Sequence, residues 1–191
     1  MVPLEIEAKL PVPSLEPVRR ALAEASAAPL GRVLETNHIL DSADGHLGRA
    51  GSALRLRVNQ PIEGGPAATI LTYKGPVQAG KVKRRPEIEV QISDPARALE
   101  LLAALSFVEV MVYRKRRESH RLADCRVELD EVPFLGCFVE VEGPDEAAIS
   151  QVQERLGLSA VPHQPKSYVA LLRDHCRRTG CDPRRIDFPQ S

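Results

Sequence analysis

The stretch Leu4-Glu5-Ile6-Glu7-Ala8-Lys9-Leu10 alternates with period two. Leu4, Ile6, Ala8 and Leu10 take one side, and Glu5, Glu7 and Lys9 take the other, which is the signature of a β-strand. The apolar side is ordinary. The other side carries three charges in a row, and the direction in which it points decides the fold.

The same alternation recurs along the chain. Leu54-Arg55-Leu56-Arg57-Val58 sets Arg55 and Arg57 together, and in 69–75 Lys74 shares a face with Thr72. In 82–92, Lys83, Arg85, Glu87, Glu89 and Gln91 oppose Val82, Ile88, Val90 and Ile92. Tyr113, Lys115 and Arg117 line up in 110–117. Arg126, Glu128 and Asp130 oppose Cys125, Val127 and Leu129, and Glu140 and Glu142 oppose Val139 and Val141. One such strand alone would turn its charged face to water.

Four amphipathic helices accompany the strands. The first is read over 11–31, with Ser14 as N-cap, Pro17 in the first turn, and Leu15, Val18, Leu22 and Ala25 at helical spacing. Asp94-Pro95 starts a second, with Ala98, Leu101, Leu102 and Leu105 on one face. Pro144-Asp145 starts a third, which Gly157 ends. The fourth begins near Pro165 and carries Tyr168, Leu171 and Leu172. These helices need an apolar surface to cover. If they cover the outer face of a curved sheet, the charged rows turn inward and the sheet closes into a barrel with a polar lumen.

Such a lumen holds like charges side by side, which is costly without a ligand of opposite sign. Paired carboxylates suit a hard divalent cation, Mg2+ or Mn2+. Clustered Arg and Lys suit phosphate oxygens. A metal-chelated polyphosphate satisfies both sets.

Composition agrees without deciding. The 191 residues carry 26 Lys+Arg and 26 Asp+Glu, so there is no basic excess to advertise a nucleic-acid partner. The start, Met1-Val2-Pro3-Leu4-Glu5, lacks a signal peptide's cationic and apolar runs, and no stretch is apolar for the ~20 residues that would cross a bilayer. The expectation is a cytoplasmic protein without membrane or nucleic-acid partner, a monomer or homodimer, with one domain over 1–178 and a loosely held tail over 179–191. Cys125, Cys137, Cys176 and Cys181 lack zinc-site spacing and are read as reduced thiols.

With these residues in view, the chain resembles the CYTH superfamily, named for class IV adenylyl cyclases and thiamine triphosphatases and also called triphosphate tunnel metalloenzymes. Glu5-x-Glu7-x-Lys9 resembles its signature. The run from Asp41 to Leu54-Arg55-Leu56-Arg57 looks like a second block. Leu71-Thr72-Tyr73-Lys74-Gly75-Pro76 is similar to a block of the cyclase-like branch. Arg85-Pro86-Glu87-Ile88-Glu89, Lys115-Arg116-Arg117, Leu129-Asp130-Glu131-Val132, Leu135 to Glu142, and Lys166-Ser167-Tyr168 continue the match over about residues 2–175. The chain departs at Leu40 and His120, where the family often has aromatics.

The resemblance implies an α+β fold, a closed eight-stranded antiparallel β-barrel forming a triphosphate tunnel, with helices packed outside. It implies that Glu5, Glu7, Asp130, Glu140 and Glu142 hold two Mg2+ or Mn2+ ions. Lys9, Arg55, Arg57, Lys74, Arg85, Lys115 and Arg117 would bind the triphosphate, with Glu7, Lys74 and Arg117 catalytic. The reaction it implies is conversion of ATP to cyclic AMP and pyrophosphate. The alternatives are hydrolysis of inorganic triphosphate, thiamine triphosphate or nucleoside triphosphates, and a non-catalytic polyphosphate- or nucleotide-binding module. Glu87 and Glu89 are further acidic lining. Lys83 and Glu128 have inward parity and fit a surface role equally well. His38 and His120 are read as ordinary strand or turn residues. Tyr113 points with Lys115, whereas Tyr73 points away from Lys74.

Overall fold

The computed structural model describes residues 3–78 and 82–189. Among them the order is β1 (Leu4–Val12), α1 (Glu16–Glu24), β2 (Ala28–Ser42), α2 (His46–Arg49), β3 (Ala53–Pro61), β4 (Ala68–Lys74) and β5 (Lys83–Ile92). There follow α3 (Pro95–Ala104), β6 (Phe107–Leu122), β7 (Cys125–Val132), β8 (Gly136–Glu142), α4 (Glu146–Arg155), α5 (Tyr168–Thr179) and β9 (Arg185–Ile186). The sheet runs β2-β3-β4-β5-β1-β8-β7-β6, and β6 pairs back onto β2, so eight antiparallel strands close on themselves. Closure removes the sheet edges. β9 lies outside the barrel, parallel to β6.

The helices do cover the apolar rows. Ile6, Ala8 and Leu10 of β1 join Val127, Leu129, Val139 and Val141 in one buried cluster, closed over by Val18 and Leu22 of α1 and Ile149 and Val152 of α4. Burying such side chains contributes roughly 1.5–3 kcal/mol each. With the outer face apolar, Glu5, Glu7 and Lys9 have only the lumen to enter. Leu102 of α3 packs on Leu40 and Leu56 in a second cluster.

One end of the barrel is stoppered. Ile39, Met111, Val132 and Phe138 continue the inward rows of β2, β6, β7 and β8, and α5 lays Tyr168, Leu172 and Cys176 against them. The Ser167 hydroxyl caps α5 by accepting the Ala170 N–H at 3.2 Å.

Four expectations change. The first helix is confined to Glu16–Glu24, because β2 already begins at Ala28. Ser14 lies before its cap position and accepts the Glu16 N–H at 3.3 Å. Cys176 and Cys181 are joined as a disulfide, leaving Cys125 and Cys137 as the free cysteines. The tail is held at Arg185–Ile186, where Ile186 is buried against Tyr113 and Met111. Among the described residues no helix is long and apolar enough to cross a membrane.

Candidate active site

The lumen is a cavity of about 920 Å³. It is lined by Glu5, Glu7 and Lys9 from β1, Arg55 and Arg57 from β3, Lys74 from β4, and Lys83, Arg85, Glu87 and Glu89 from β5. Tyr113, Lys115 and Arg117 come from β6, Arg126 and Glu128 from β7, and Glu140 and Glu142 from β8. Register explains the convergence. Glu7 lies directly opposite Glu142, Lys9 opposite Glu140, Glu5 opposite Arg85, and Lys74 opposite Glu87.

At one side of the lumen the carboxylates are crowded. The Lys74 ammonium donates to Glu5 Oε1 at 2.6 Å and to Glu87 Oε2 at 2.8 Å, and Lys83 pairs with Glu7. Burial raises the Glu5 carboxyl, but Lys74 and Lys83, with hydrogen bonds from Glu87 and Lys74, hold it down at about 2. Burial pushes the neighbouring Glu87 up to about 8, helped by its contact with Glu5 and against the pull of Lys74. Glu142 is raised by burial and by the charges of Glu5 and Glu7. Glu142 takes part in none of the ion pairs among the described residues, and Glu5 Oε2 is buried there without a hydrogen-bond partner.

A second set surrounds Asp130, which is 0 % exposed. Lys115 donates to its Oδ2 at 2.8 Å, Arg117 grips both oxygens at 2.7 and 2.6 Å, and the Tyr168 hydroxyl donates at 2.8 Å. Lys9 lies 4.0 Å above the Tyr168 ring and pairs with Glu140 at 3.4 Å. Glu140 is driven well below its ordinary range by Lys9, Arg117 and Lys115, which overcome its burial.

A third set is cationic. Arg55 and Arg57 reach Glu89 only at 3.9 and 3.7 Å, and their Nε atoms are buried with no hydrogen-bond partner among the described residues. Burial and the charge of Arg55 lower the Arg57 pKa. Arg85 is lowered by burial, and its Nε donates to the Gly75 carbonyl at 2.9 Å. All three guanidinium groups belong to the cavity wall.

The cation set named from sequence, Lys9, Arg55, Arg57, Lys74, Arg85, Lys115 and Arg117, lines one cavity. Of the acidic set, Glu5, Glu7, Glu140 and Glu142 line it too. Asp130 does not. It lies behind the wall, beneath α5, where three side chains donate to its two oxygens. Parity along β7 shows that Asp130 points inward but not how deep the stopper reaches. Among the described residues no group of three or more His, Cys, Asp or Glu is poised as a ligand cluster, because Lys74 and Lys83 occupy Glu5, Glu87 and Glu7. The donor set nonetheless fits a hard cation, with an unpartnered Glu5 oxygen beside Glu7 and Glu142.

Sequence reasoning missed Glu35, 1 % exposed, which takes Lys115 at 3.4 Å and Arg57 and Arg117 at 3.6 Å each. Those cations hold its carboxyl far below the ordinary range despite burial. Its signal was the alternation Glu35, Asn37, Ile39, Asp41, obscured by an uncharged middle. Asp41 shares that parity and serves structure, accepting the Leu47 and Gly48 N–H groups of α2 at 2.9 Å each. Lys83 and Glu128, which fitted two places equally, both line the lumen. His120 bonds Glu118 at 2.8 Å and His38 bonds Glu109 at 2.5 Å, and neither lines the lumen.

A closed eight-stranded barrel with a charged lumen and an α5 stopper defines a family, and the comparisons name it. The CYTH domain profile matches residues 3–168, and the chain belongs to this family. A protein of Methanocaldococcus jannaschii named putative adenylate cyclase is 28% identical over 152 residues, covering 80% of this chain and 81% of that one. The PH1819 protein of Pyrococcus horikoshii OT3 superposes with a TM-score of 0.77 at 28% identity, covering 90% of this chain and 99% of that one. A Hippeastrum protein described as a putative adenylyl cyclase with a dominant triphosphatase activity superposes at 0.71 with 23% identity, covering 90% of this chain and 96% of that one.

Proposed function

We propose that the protein is a metal-dependent enzyme acting on a triphosphate, converting ATP to cyclic AMP and pyrophosphate. The carrying observation is the convergence, on one cavity, of the Arg55, Arg57 and Arg85 guanidinium groups with crowded carboxylates at Glu5, Glu7 and Glu142. A polyanion completes the first set and a divalent cation the second. A pure anion site has no use for the carboxylates.

In this reading Glu5, Glu7, Glu140 and Glu142 hold Mg2+ or Mn2+. The bound cation supplies Lewis-acid polarisation of phosphate oxygens and offsets their charge. Arg55, Arg57, Lys9 and Lys115 bind the phosphate chain and fix its register. Arg117 faces Glu35, Glu128 and Glu140 as well as Asp130, and places its positive charge where negative charge grows on the leaving group. Lys74 and Lys83, paired with Glu5, Glu87 and Glu7, would be free to meet phosphate oxygens once those carboxylates held a cation. Asp130 is assigned no metal; it holds Lys115 and Arg117 in place.

Hydrolysis is the second reading, supported by the Hippeastrum relative's described activity. Product analysis separates the two. The protein is incubated with ATP and with inorganic triphosphate, each with Mg2+ and with Mn2+. Cyclic AMP with pyrophosphate from ATP is expected; ADP with orthophosphate from ATP, or pyrophosphate with orthophosphate from inorganic triphosphate, without any cyclic AMP, would replace the cyclase by a triphosphatase.

A further inference from the structure

The covalent link at the end of α5 has no part in that reaction. Cys176, buried in the last turn of α5, is bonded to Cys181, five residues on. Between them Gly180, at a φ of 75°, ends the helix and turns the chain. The tail then returns to β6, where the Arg184 carbonyl accepts the Val112 N–H at 2.7 Å and Ile186 pairs with Tyr113. Beyond it, Asp187 meets Arg114 at 3.0 Å and Phe188 lies 4.0 Å under Arg116. These outer contacts are exposed and each is weak. A two-residue strand does not order a tail by itself, whereas a covalent tie removes most of its freedom beforehand.

Ile186 shares one buried cluster with Tyr113 and Tyr168, and both tyrosines also line the lumen. The tail therefore supports the stoppered end. A second cavity, of about 730 Å³, opens beside the disulfide and is lined by Lys166, Arg173, Asp174, Arg177, Cys181 and Pro183. Ala170 and Arg173 are walls of both cavities. Three cations against one carboxylate favour an anionic visitor. Cys181 is the more exposed of the two sulfur-bearing residues.

We propose that Cys176–Cys181 is a reducible clamp on the tail, opened by a small anionic thiol that enters this basic cavity. The thiolate attacks Cys181 Sγ, the S–S bond breaks, and its electron pair leaves on Cys176 Sγ, which takes a proton from water. A second molecule of the same thiol attacks the mixed disulfide, frees Cys181 as a thiol, and departs in the oxidised, disulfide form. The protein gains two electrons and two protons in all. Opening the clamp lets β9 leave β6 and withdraws Ile186 from Tyr113 and Tyr168. The consequence for the lumen rests on the proposed function; release of the tail does not.

The test compares oxidised protein with protein treated with mercaptoethanesulfonate or with neutral mercaptoethanol at equal thiolate concentration. Three quantities are read: the rate of disulfide opening, tryptic cleavage after Arg184 and Arg185, and calorimetric binding of inorganic triphosphate with Mg2+. The sulfonate is expected to open the bond several-fold faster at low salt, with the advantage lost at high salt. Cleavage is expected to rise about tenfold or more on reduction, and triphosphate affinity to shift about threefold or more. Cys181→Ser should cleave fast without any thiol; if it does not fold, the wild-type comparison decides. Equal cleavage in both redox states overturns the clamp. Equal rates with the two thiols overturn the anionic-thiol assignment. Release of the tail with unchanged affinity overturns the link to the lumen, while absence of triphosphate binding in both states overturns the proposed function and leaves the clamp in place.

Discussion

Asp130 and Glu142 point inward from neighbouring strands, β7 and β8, yet their surroundings are opposite. Asp130 receives four hydrogen bonds, from Lys115, twice from Arg117, and from Tyr168. Glu142 faces Glu7 across the sheet, and Glu5 and Glu7 push its carboxyl pKa up. The first arrangement is complete without a ligand and fixes the position of two cations. The second brings like charges together, a repulsion that an added cation or a proton relieves. Within one lumen, parity alone does not separate scaffold from reactive site; the balance of partners does.

The comparison can be broken by mutation. Removing a fully paired buried carboxylate strands its partners, so Asp130→Ala should cost about 3–5 kcal/mol of stability in urea unfolding. A near-neutral result would mean that Asp130 is not the anchor described. At the other pole, Glu7→Gln should lower turnover by about 10²–10³-fold, while its urea midpoint falls less than that of Asp130→Ala, since among the described residues Glu7 has the single ion-pair partner Lys83. Full activity in that variant would remove Glu7 from the metal set. Arg57→Ala takes away a lumen cation between the two regions. Its KM for the triphosphate substrate should rise by about tenfold, with a smaller change in stability, as read from initial rates and unfolding side by side.

Proton linkage gives the smallest and most specific signal. Glu87 is raised to about 8 from the ordinary 4.5, so between these values the folded chain holds a proton that the unfolded chain has lost. Metal-free protein should therefore lose stability as pH rises from about 4.5 to about 8. Glu5, held down at about 2, has the opposite sign: its contribution is present above about 4.5 and is lost as pH falls toward 2. Glu87→Gln should flatten the alkaline decline, gaining on the order of 1–2 kcal/mol over wild type at pH 8. Parallel pH curves for the two proteins would refute the raised pKa of Glu87.

Much of this was legible in the sequence because the barrel is two-sided. Seven alternating segments with helices needing cover led to the inward charges, and the lumen lists for β1, β3, β5 and β8 follow from counting by two. The start of β2 is hidden because the helix expected over 11–31 overlaps residues 28–31, although Pro29 already argues against helix there. Glu35 lies beyond that helix, on a face it shares with the uncharged Asn37 and Ile39. The resemblance places Asp130 with the metal carboxylates; alternation gives its direction but not its depth, which is set by α5, some forty residues further on. The disulfide was read as two thiols because compartment, rather than the closeness of a helix end to its returning tail, guided that expectation.

The barrel's closure also bears on how the chain is born. β1 leaves the ribosome before the other strands of the barrel, but its partner over six consecutive residues, β8, is the last of them. For most of synthesis one edge of β1 has nothing to pair with, and sequence-distant pairings of this kind fold slowly. An unpaired strand is an invitation to other nascent chains, and inward-pointing charge is one way proteins discourage it. Glu5, Glu7 and Lys9 would thus guard the unfinished polypeptide before they serve the finished one.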